Sequence, residues 1–519
     1  MVPADGGGGA PPAAGGTAPA GSAESGIARR MALGAVWMVA LRLSIKFIGL
    51  ISMTILARVL MPADFGLVTL AATVYGFIEL LRAFGFDTAL IQRQRTSREH
   101  YDTAFTMRLI FSTAGALLLV AIASAAARYY RNPDLTDVLR AMAGLFFLEG
   151  LTNIGVVEFQ KQLTFHKEFM YRISVKLIGL VVTLGAAFTL RNYWALLLGM
   201  FATTATTIVI GYLAHPFRPR LDLSRSRDIM GFSSWVIVGN ALVYLNQHAQ
   251  NMILGRAKGI DVLGMYGIAF EFATLTTSEI VAPINRATFP GYAKVANDKT
   301  ALYDLFLNVQ SYIAIIAMAS AAGMAAVAPT MVPVVLGEKW LAAVPVLQLL
   351  ALGSAVSSLN TNIGYVFTAM GIPRITTALL AAQIVIMLGL LALFVPERGA
   401  MGAAWSYVGT AIIVYFVSNA TVLRYMRMPL HRTLLVQVRP ALAALTMGFG
   451  VHAFGQAALA WTGGHQTLPL LVAECLLGVA LYTCVLSVLW FLAGRPAGAE
   501  RQLLERLASR LGRRPGHSA

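Results

Sequence analysis

Two cations stand in a stretch of chain that is otherwise apolar. Residues 34–66 form an apolar run longer than the roughly 20 residues a bilayer crossing takes, yet Arg42 and Lys46 lie well inside it. They are four positions apart, so on a helix they share one face. A cation near the middle of a membrane helix costs about 2.5–3.5 kcal/mol on insertion scales. Such groups therefore face an acid on a neighbouring helix or an anionic ligand in a wet cavity. Both readings are open: a structural ion pair, or a cationic binding face.

Other polar residues fall in apolar segments too. The segment over 67–91 carries Glu79, Arg82 and Asp87. Glu79 and Arg82 have the three-residue spacing of a self-contained pair; alternatively Glu79 and Asp87 are the counter-charges of Arg42 and Lys46 and carriers of a coupling ion. Glu271 and Glu279, in the segment over 265–289, are further candidates for ion coupling, and Arg286 stands in the same segment. Pro283 and Pro290 should bend that helix. Asn246, Gln247, His248, Gln250 and Asn251 put five polar groups in six residues, which cannot all face lipid. They either hydrogen-bond between helices or line a hydrated cavity, where Asn246, His248, Gln250 and Asn251 would be binding groups.

The elements that must hold these residues are membrane helices. Of 519 residues 57% are hydrophobic and 12% charged, with a mean hydropathy of +0.68, more apolar surface than a soluble domain can bury. The fold class is an all-α polytopic membrane protein of about 14 transmembrane helices. Expected spans are 33–59, 67–91, 104–127, 138–158, 173–190, 193–214, 231–254, 265–289, 305–327, 345–369, 375–395, 401–423, 437–457 and 468–492. About 25 of the 40 basic residues fall in one alternating set of loops and termini, and about eight in the other. The positive-inside rule then puts both termini in the cytoplasm, so the net charge of +16 reports topology rather than nucleic-acid binding. Cys475 and Cys484, nine apart on one helix, are too distant for a disulfide. No loop is long enough to form a catalytic domain.

The first helix pair recurs 198 positions later: Trp37, Arg58, Gly66 and Ala71 fall on Trp235, Arg256, Gly264 and Ala269 without a gap. Two homologous halves entering the membrane in the same direction imply a pseudo-two-fold axis along the membrane normal. The expected organisation is a leader at 1–26, an N-lobe at 27–222, a C-lobe at 223–432, two further helices at 433–494 and a basic cytoplasmic tail at 495–519. The leader, rich in Gly, Ala and Pro, reads as disordered.

With these elements in place, a resemblance emerges. Gly34-x-x-Trp37, Pro62-Ala63-Asp64-Phe65-Gly66, Ala89-Leu90-Ile91-Gln92, Gly337-Glu338-Lys339-Trp340-x-x-Ala343 and Gly399-x-x-Gly402-Ala403-Ala404 stand in order along the chain. Together they resemble the polysaccharide and O-antigen flippases of the MOP exporter superfamily, in the colanic-acid-exporter-like branch. The resemblance covers about residues 27–492. It implies two six-helix lobes around a V-shaped cavity and two peripheral helices. It also implies a lipid-diphosphate-linked oligosaccharide as cargo, moved from the cytoplasmic to the periplasmic leaflet of a bacterial inner membrane for exopolysaccharide, capsule or O-antigen synthesis. The family's basic residues on the first helix of the N-lobe match Arg42 and Lys46. In the second lobe the repeat register places Asn240 and Tyr244 there, neither charged, so that a C-lobe cation would be Arg286 or a non-homologous residue. The implied partners are the lipid-linked cargo, membrane lipid, and a polysaccharide polymerase with its export machinery. No nucleic acid, cofactor or metal is called for, and a monomer is expected. The rival readings are a multidrug or cation antiporter of the same superfamily, which wants an acidic cavity, a membrane polymerase or ligase, which wants a large outer loop, and a scaffold, which has no use for buried cations.

Overall fold

The computed structural model describes residues 20–80, 90–91, 96–162, 164–226, 234–461 and 465–495, and their side chains except at 20–33, 35, 234–238, 276, 278 and 461. Among these residues the chain is helical throughout, with no strand. The elements are α1 (Ala20–Val59), α2 (Pro62–Glu79), α3 (Arg98–Tyr130), α4 (Asp134–Gly150), α5 (Phe165–Leu190), α6 (Trp194–Ala214), α7 (Ser234–Lys258), α8 (Ile260–Val295), α9 (Lys299–Met331), α10 (Val344–Ala369), α11 (Pro373–Met426), α12 (Leu430–Trp461) and α13 (Leu468–Leu492). Helix α1 starts inside the expected leader. Residues 1–19, the end of the second expected span with Arg82 and Asp87, and the tail beyond 495 lie outside the described residues.

The 54 residues of α11 are two arms. Gly399 breaks the helix with φ 57° and ψ −128°, a conformation open to glycine, three residues after Pro396. A methyl placed on Gly402 would lie 2.1 Å from the carbonyl oxygen of Phe394. Eight residues of straight helix span about 12 Å, so the chain reverses here and the arms run side by side, as the sequence motif Gly399-x-x-Gly402 requires.

Among the described residues nine helices are long and apolar enough to cross a membrane, or ten if the bent pair Asp134–Gly150 and Ile154–Lys161 forms one span. The helices outside that set are α2, which ends on Glu79, α7, which carries the polar run 246–251, and α8, which carries Glu271 and Glu279. They pack on each other: α2 lies along α8, and α7 against α2. Elsewhere on the bundle, apolar side chains such as Leu213, Phe449 and Leu492 stand exposed. Fourteen crossings result if these three helices cross as well and α11 counts twice.

The bundle has two ends. One carries the α1–α2 turn, the wide turn Val332–Leu336 and the short 3₁₀ helix Glu338–Ala343; we call it the Lys339 end. The other, the Arg98 end, carries the start of α3 and the segment 215–226. That segment is tied down by α3 and its neighbours: Arg220 N–H donates to Asp102 Oδ1 at 2.8 Å, Asp222 N–H to Thr106 Oγ1 at 2.9 Å, and Arg225 Nε to Glu99 at 2.9 Å. Asn153 Nδ2 adds bonds to the carbonyls of Gly211 (3.1 Å) and Phe217 (3.2 Å). The connection toward α7 thus leaves the first half from a fixed point.

In the second half, α8, α9 and α10 are joined by a buried amide network. Tyr292 donates to Asn362 Oδ1 at 2.9 Å, Asn362 Nδ2 to Gln310 Oε1 at 3.2 Å, and Asn285 Nδ2 to Thr361 at 2.7 Å. Such buried networks fix helix register where apolar packing alone would permit sliding.

Candidate functional site

Arg42 and Lys46 converge on one carboxylate. Glu279 of α8 accepts from Arg42 through Oε2 at 3.0 Å and pairs with Lys46 through Oε1 at 3.2 Å. Each carboxylate oxygen therefore serves one cation, and the cluster carries one net positive charge. Its side chains are only partly covered, at 36%, 43% and 24% exposure for Arg42, Lys46 and Glu279. The cluster joins the first helix of one half to the second helix of the other. Among the described residues Glu279 meets both cations although it stands 237 residues from Arg42, a distance over which sequence spacing says nothing. Glu79 lies exposed near the end of α2, and Asp87 is outside the described residues.

Helix α8 is weakened where it carries this charge. Proline has no N–H, so Pro283 and Pro290 leave the carbonyls of Glu279 and Arg286 without their helical donors. Arg286 is exposed and seven residues beyond Glu279, hence on nearly the same face and about 10 Å further along the axis. Glu271, two turns before Glu279, is exposed.

The amide run of α7 divides. Asn246, Gln247 and Gln250 line a cavity of about 410 Å³ within the second half, closed by Asn360, Gln383 and Tyr407 among others. A contiguous cavity of about 400 Å³ shares Phe270, Ser357, Thr361 and Tyr407 with it and extends to Thr277 and Asn285. Both are lined by hydroxyls, amides and aromatic rings, and no charged residue lines either. Asn246 Oδ1, Asn285 Oδ1, Asn360 Oδ1 and Thr410 Oγ1 are buried and bond no protein group. His248 faces elsewhere: its ring stacks on Tyr244 at 4.4 Å, and the Tyr244 hydroxyl donates to the carbonyl of Thr73 on α2. Asn251 is not among the lining residues. Ser357, Asn360, Thr361, Gln383 and Tyr407 escaped the sequence reading because they are single polar residues scattered over α10 and α11. Only their shared cavity identifies them.

At the Lys339 end the halves touch backbone to backbone. A methyl on Gly66 would lie 1.8 Å from the carbonyl oxygen of Ile260, and one on Gly264 would lie 1.9 Å from that of Pro62. These pairs exchange under the shift of 198 residues found in the sequence. The two contacts are equivalents across a local two-fold axis, and α2 and α8 cross there in parallel. Lys339 Nζ reaches the carbonyls of Arg58 and Leu60, Trp340 Nε1 donates to Ala57 at 2.8 Å, and Arg58 reaches back to the carbonyls of Val334 and Val335. Arg256, the repeat mate of Arg58, stacks over Tyr129 at 5.3 Å. Trp340 is fully buried.

An all-α membrane bundle of two related halves, bridged at one end by glycine contacts and near the other by an ion cluster, defines a polytopic carrier-type protein. The model of the family described as "Polysaccharide biosynthesis protein" matches residues 55–345, more than half of the chain, and the chain belongs to that family. It is 26% identical over 457 residues to the lipopolysaccharide biosynthesis protein WzxC of Escherichia coli, covering 86% of this chain and 87% of that one. It is 24% identical to the succinoglycan biosynthesis transport protein ExoT of Rhizobium meliloti, over 88% of this chain and 90% of that one. Among solved structures its fold is similar to that of the lipid II flippase MurJ in its inward closed conformation, with a TM-score of 0.68, 12% identity, and coverage of 88% of this chain and 99% of that one. An inward-facing multidrug MATE transporter of the MOP superfamily shares the fold at a TM-score of 0.55 and 16% identity, over 76% and 95% of the two chains.

Proposed function

We propose that this protein moves a lipid-diphosphate-linked oligosaccharide from the cytoplasmic to the periplasmic leaflet of a bacterial inner membrane, by alternating access between its two halves. The observation that carries this reading is the cluster of Arg42 and Lys46 on Glu279, across the halves. Both oxygens of one carboxylate occupy donors that suit a diphosphate, which brings more charge and more acceptors. Cargo binding would displace Glu279, uncouple α8 from α1, and convert binding energy into movement at a point where two prolines have already weakened α8. The uncharged cavities of the second half suit the hydroxyl-rich sugars, which can donate to the free amide oxygens and pack on Phe270 and Tyr407.

A cation antiporter fits this chemistry poorly: Glu279 is already neutralised by two cations, and the net charge of the cluster is positive. The loop-charge asymmetry makes the Arg98 end cytoplasmic and the Lys339 end periplasmic. The same reading makes the protein a monomeric transporter that feeds a polysaccharide polymerase and export machinery and performs no covalent chemistry.

Reconstitution with labelled lipid-linked oligosaccharide tests it. Movement between leaflets without covalent change is the expected result, lost in the Arg42→Ala, Lys46→Ala double variant while expression persists. Wild-type movement in that variant would make the cations structural, and chain growth or ligation would make the protein an enzyme.

A further inference from the structure

Among the described residues three carboxylates are buried: Asp102, Glu168 and Glu474. Asp102 receives the N–H of Arg220 and the Arg98 guanidinium, and Glu168 receives Arg172 and Gln160. Glu168 Oε2 bonds no protein group either, so Glu474 differs from both in that no cation among the described residues pairs with it. It lies two turns into α13, between α9 and α12, and is 2% exposed. Its Oε1 accepts the Thr330 hydroxyl of α9 at 2.9 Å, and its Oε2 has no partner. Gly455 of α12 makes room for it: a methyl there would lie 2.5 Å from Oε1. The titratable groups within electrostatic reach are His452 on α12 and Cys475 on its own helix; α9 contributes only the hydroxyl of Thr330.

An ionised carboxylate in this setting would be desolvated, with one hydroxyl donor and one bare oxygen. A neutral carboxylic acid has its own O–H and needs less solvation. The site therefore favours a bound proton, in contrast to Glu279, whose charge is met on both oxygens.

We propose that Glu474 is a proton-binding site of this protein, loaded at neutral pH while α13 is docked against α9 and α12, and emptied to water when those helices part. His452, exposed on α12, is the titratable side chain of that helix within electrostatic reach of Glu474. The protonated acid keeps the seam closed, because an emptied site would leave a bare carboxylate among apolar helices. Proton binding is thus coupled to the position of the two peripheral helices, which pack against α9 of the second half. The role in transport rests on the flippase reading above; the protonation state does not.

Infrared difference spectroscopy on the purified protein in lipid reads the site directly. The carbonyl stretch of a neutral carboxylic acid should be present at pH 7 in the wild type, shift in D₂O, and disappear in Glu474→Gln. If Glu474→Gln fails to fold, Glu474→Asp serves, with the band expected to move rather than vanish. An ionised carboxylate at position 474 at pH 7 overturns the proposal. In vesicles with an imposed pH gradient, Glu474→Gln should retain downhill movement of labelled lipid-linked oligosaccharide and lose its stimulation by the gradient. Unchanged stimulation would overturn the coupling even with the band in place. Absence of any movement by the wild type would sink the flippase reading and leave the proton site standing.

Discussion

The two ends of the contact between the halves are built from different chemistry. At the Lys339 end, glycines bring α2 and α8 together at backbone distance, and Trp340, Lys339 and Arg58 bond to main-chain carbonyls of the opposite half. Nearer the Arg98 end, α1 and α8 are joined among the described residues by an ion cluster, about a quarter to two-fifths exposed. Backbone packing is short-ranged and lost once the helices part by an ångström or so. An ion cluster acts over longer distances and can be replaced by another anion of better geometry. The difference suggests which end responds to ligand and which end defines the closed state.

The largest effect should come from spoiling the glycine contact. Gly66→Leu or Gly264→Leu cannot be accommodated without separating α2 from α8. Transport should be abolished, and a cysteine pair at positions 60 and 339 should no longer crosslink. Efficient crosslinking in these variants would show that the contact is not what closes this end. Overpacking of this kind costs about 1–3 kcal/mol, so a lowered thermal midpoint is expected as well.

Next comes the ion cluster, where stability and transport should separate. Glu279→Gln should change thermal stability by less than about 1 kcal/mol, because partly exposed ion pairs are screened. It should nevertheless alter transport strongly and raise the reactivity of cysteines placed on α1 near position 42. A large loss of stability with normal transport would recast the cluster as a structural tie. A finer distinction lies within it: Arg42→Lys should lose more transport than Lys46→Arg, since the planar fork of the guanidinium is what two oxygens of a diphosphate match. Equal losses would reduce both residues to point charges.

Smaller still is Trp340→Phe, which keeps most of the apolar packing against Phe65 and removes the indole bond to Ala57. About 1 kcal/mol should be lost from the Lys339 end alone, seen as a modest shift toward the open state in the crosslinking assay. The orientation of both ends is checked by cysteines at positions 222 and 132, expected to label from the cytoplasm and the periplasm respectively. Labelling of both from one side would invert or break the comparison.

The sequence by itself determined the class of fold, the two mid-helix cations and the register of the repeat, because each is local. Apolar runs, a shared helical face at four-residue spacing, and matching residues at a fixed offset need no tertiary knowledge. The offset was borne out at Gly66 and Gly264, where backbone contact tolerates no side chain and so holds both residue types in place. Other features were decided only by the folded chain. Among the described residues Glu279 meets Arg42 and Lys46 because the fold brings α8 of the second half within side-chain reach of α1 of the first. The 246–251 run splits between a cavity and the α2 interface because successive helical residues point 100° apart. Glu474 passed unnoticed as one acid in an apolar helix, since burial, a bare oxygen and a glycine-shaped recess are properties of three helices packed together.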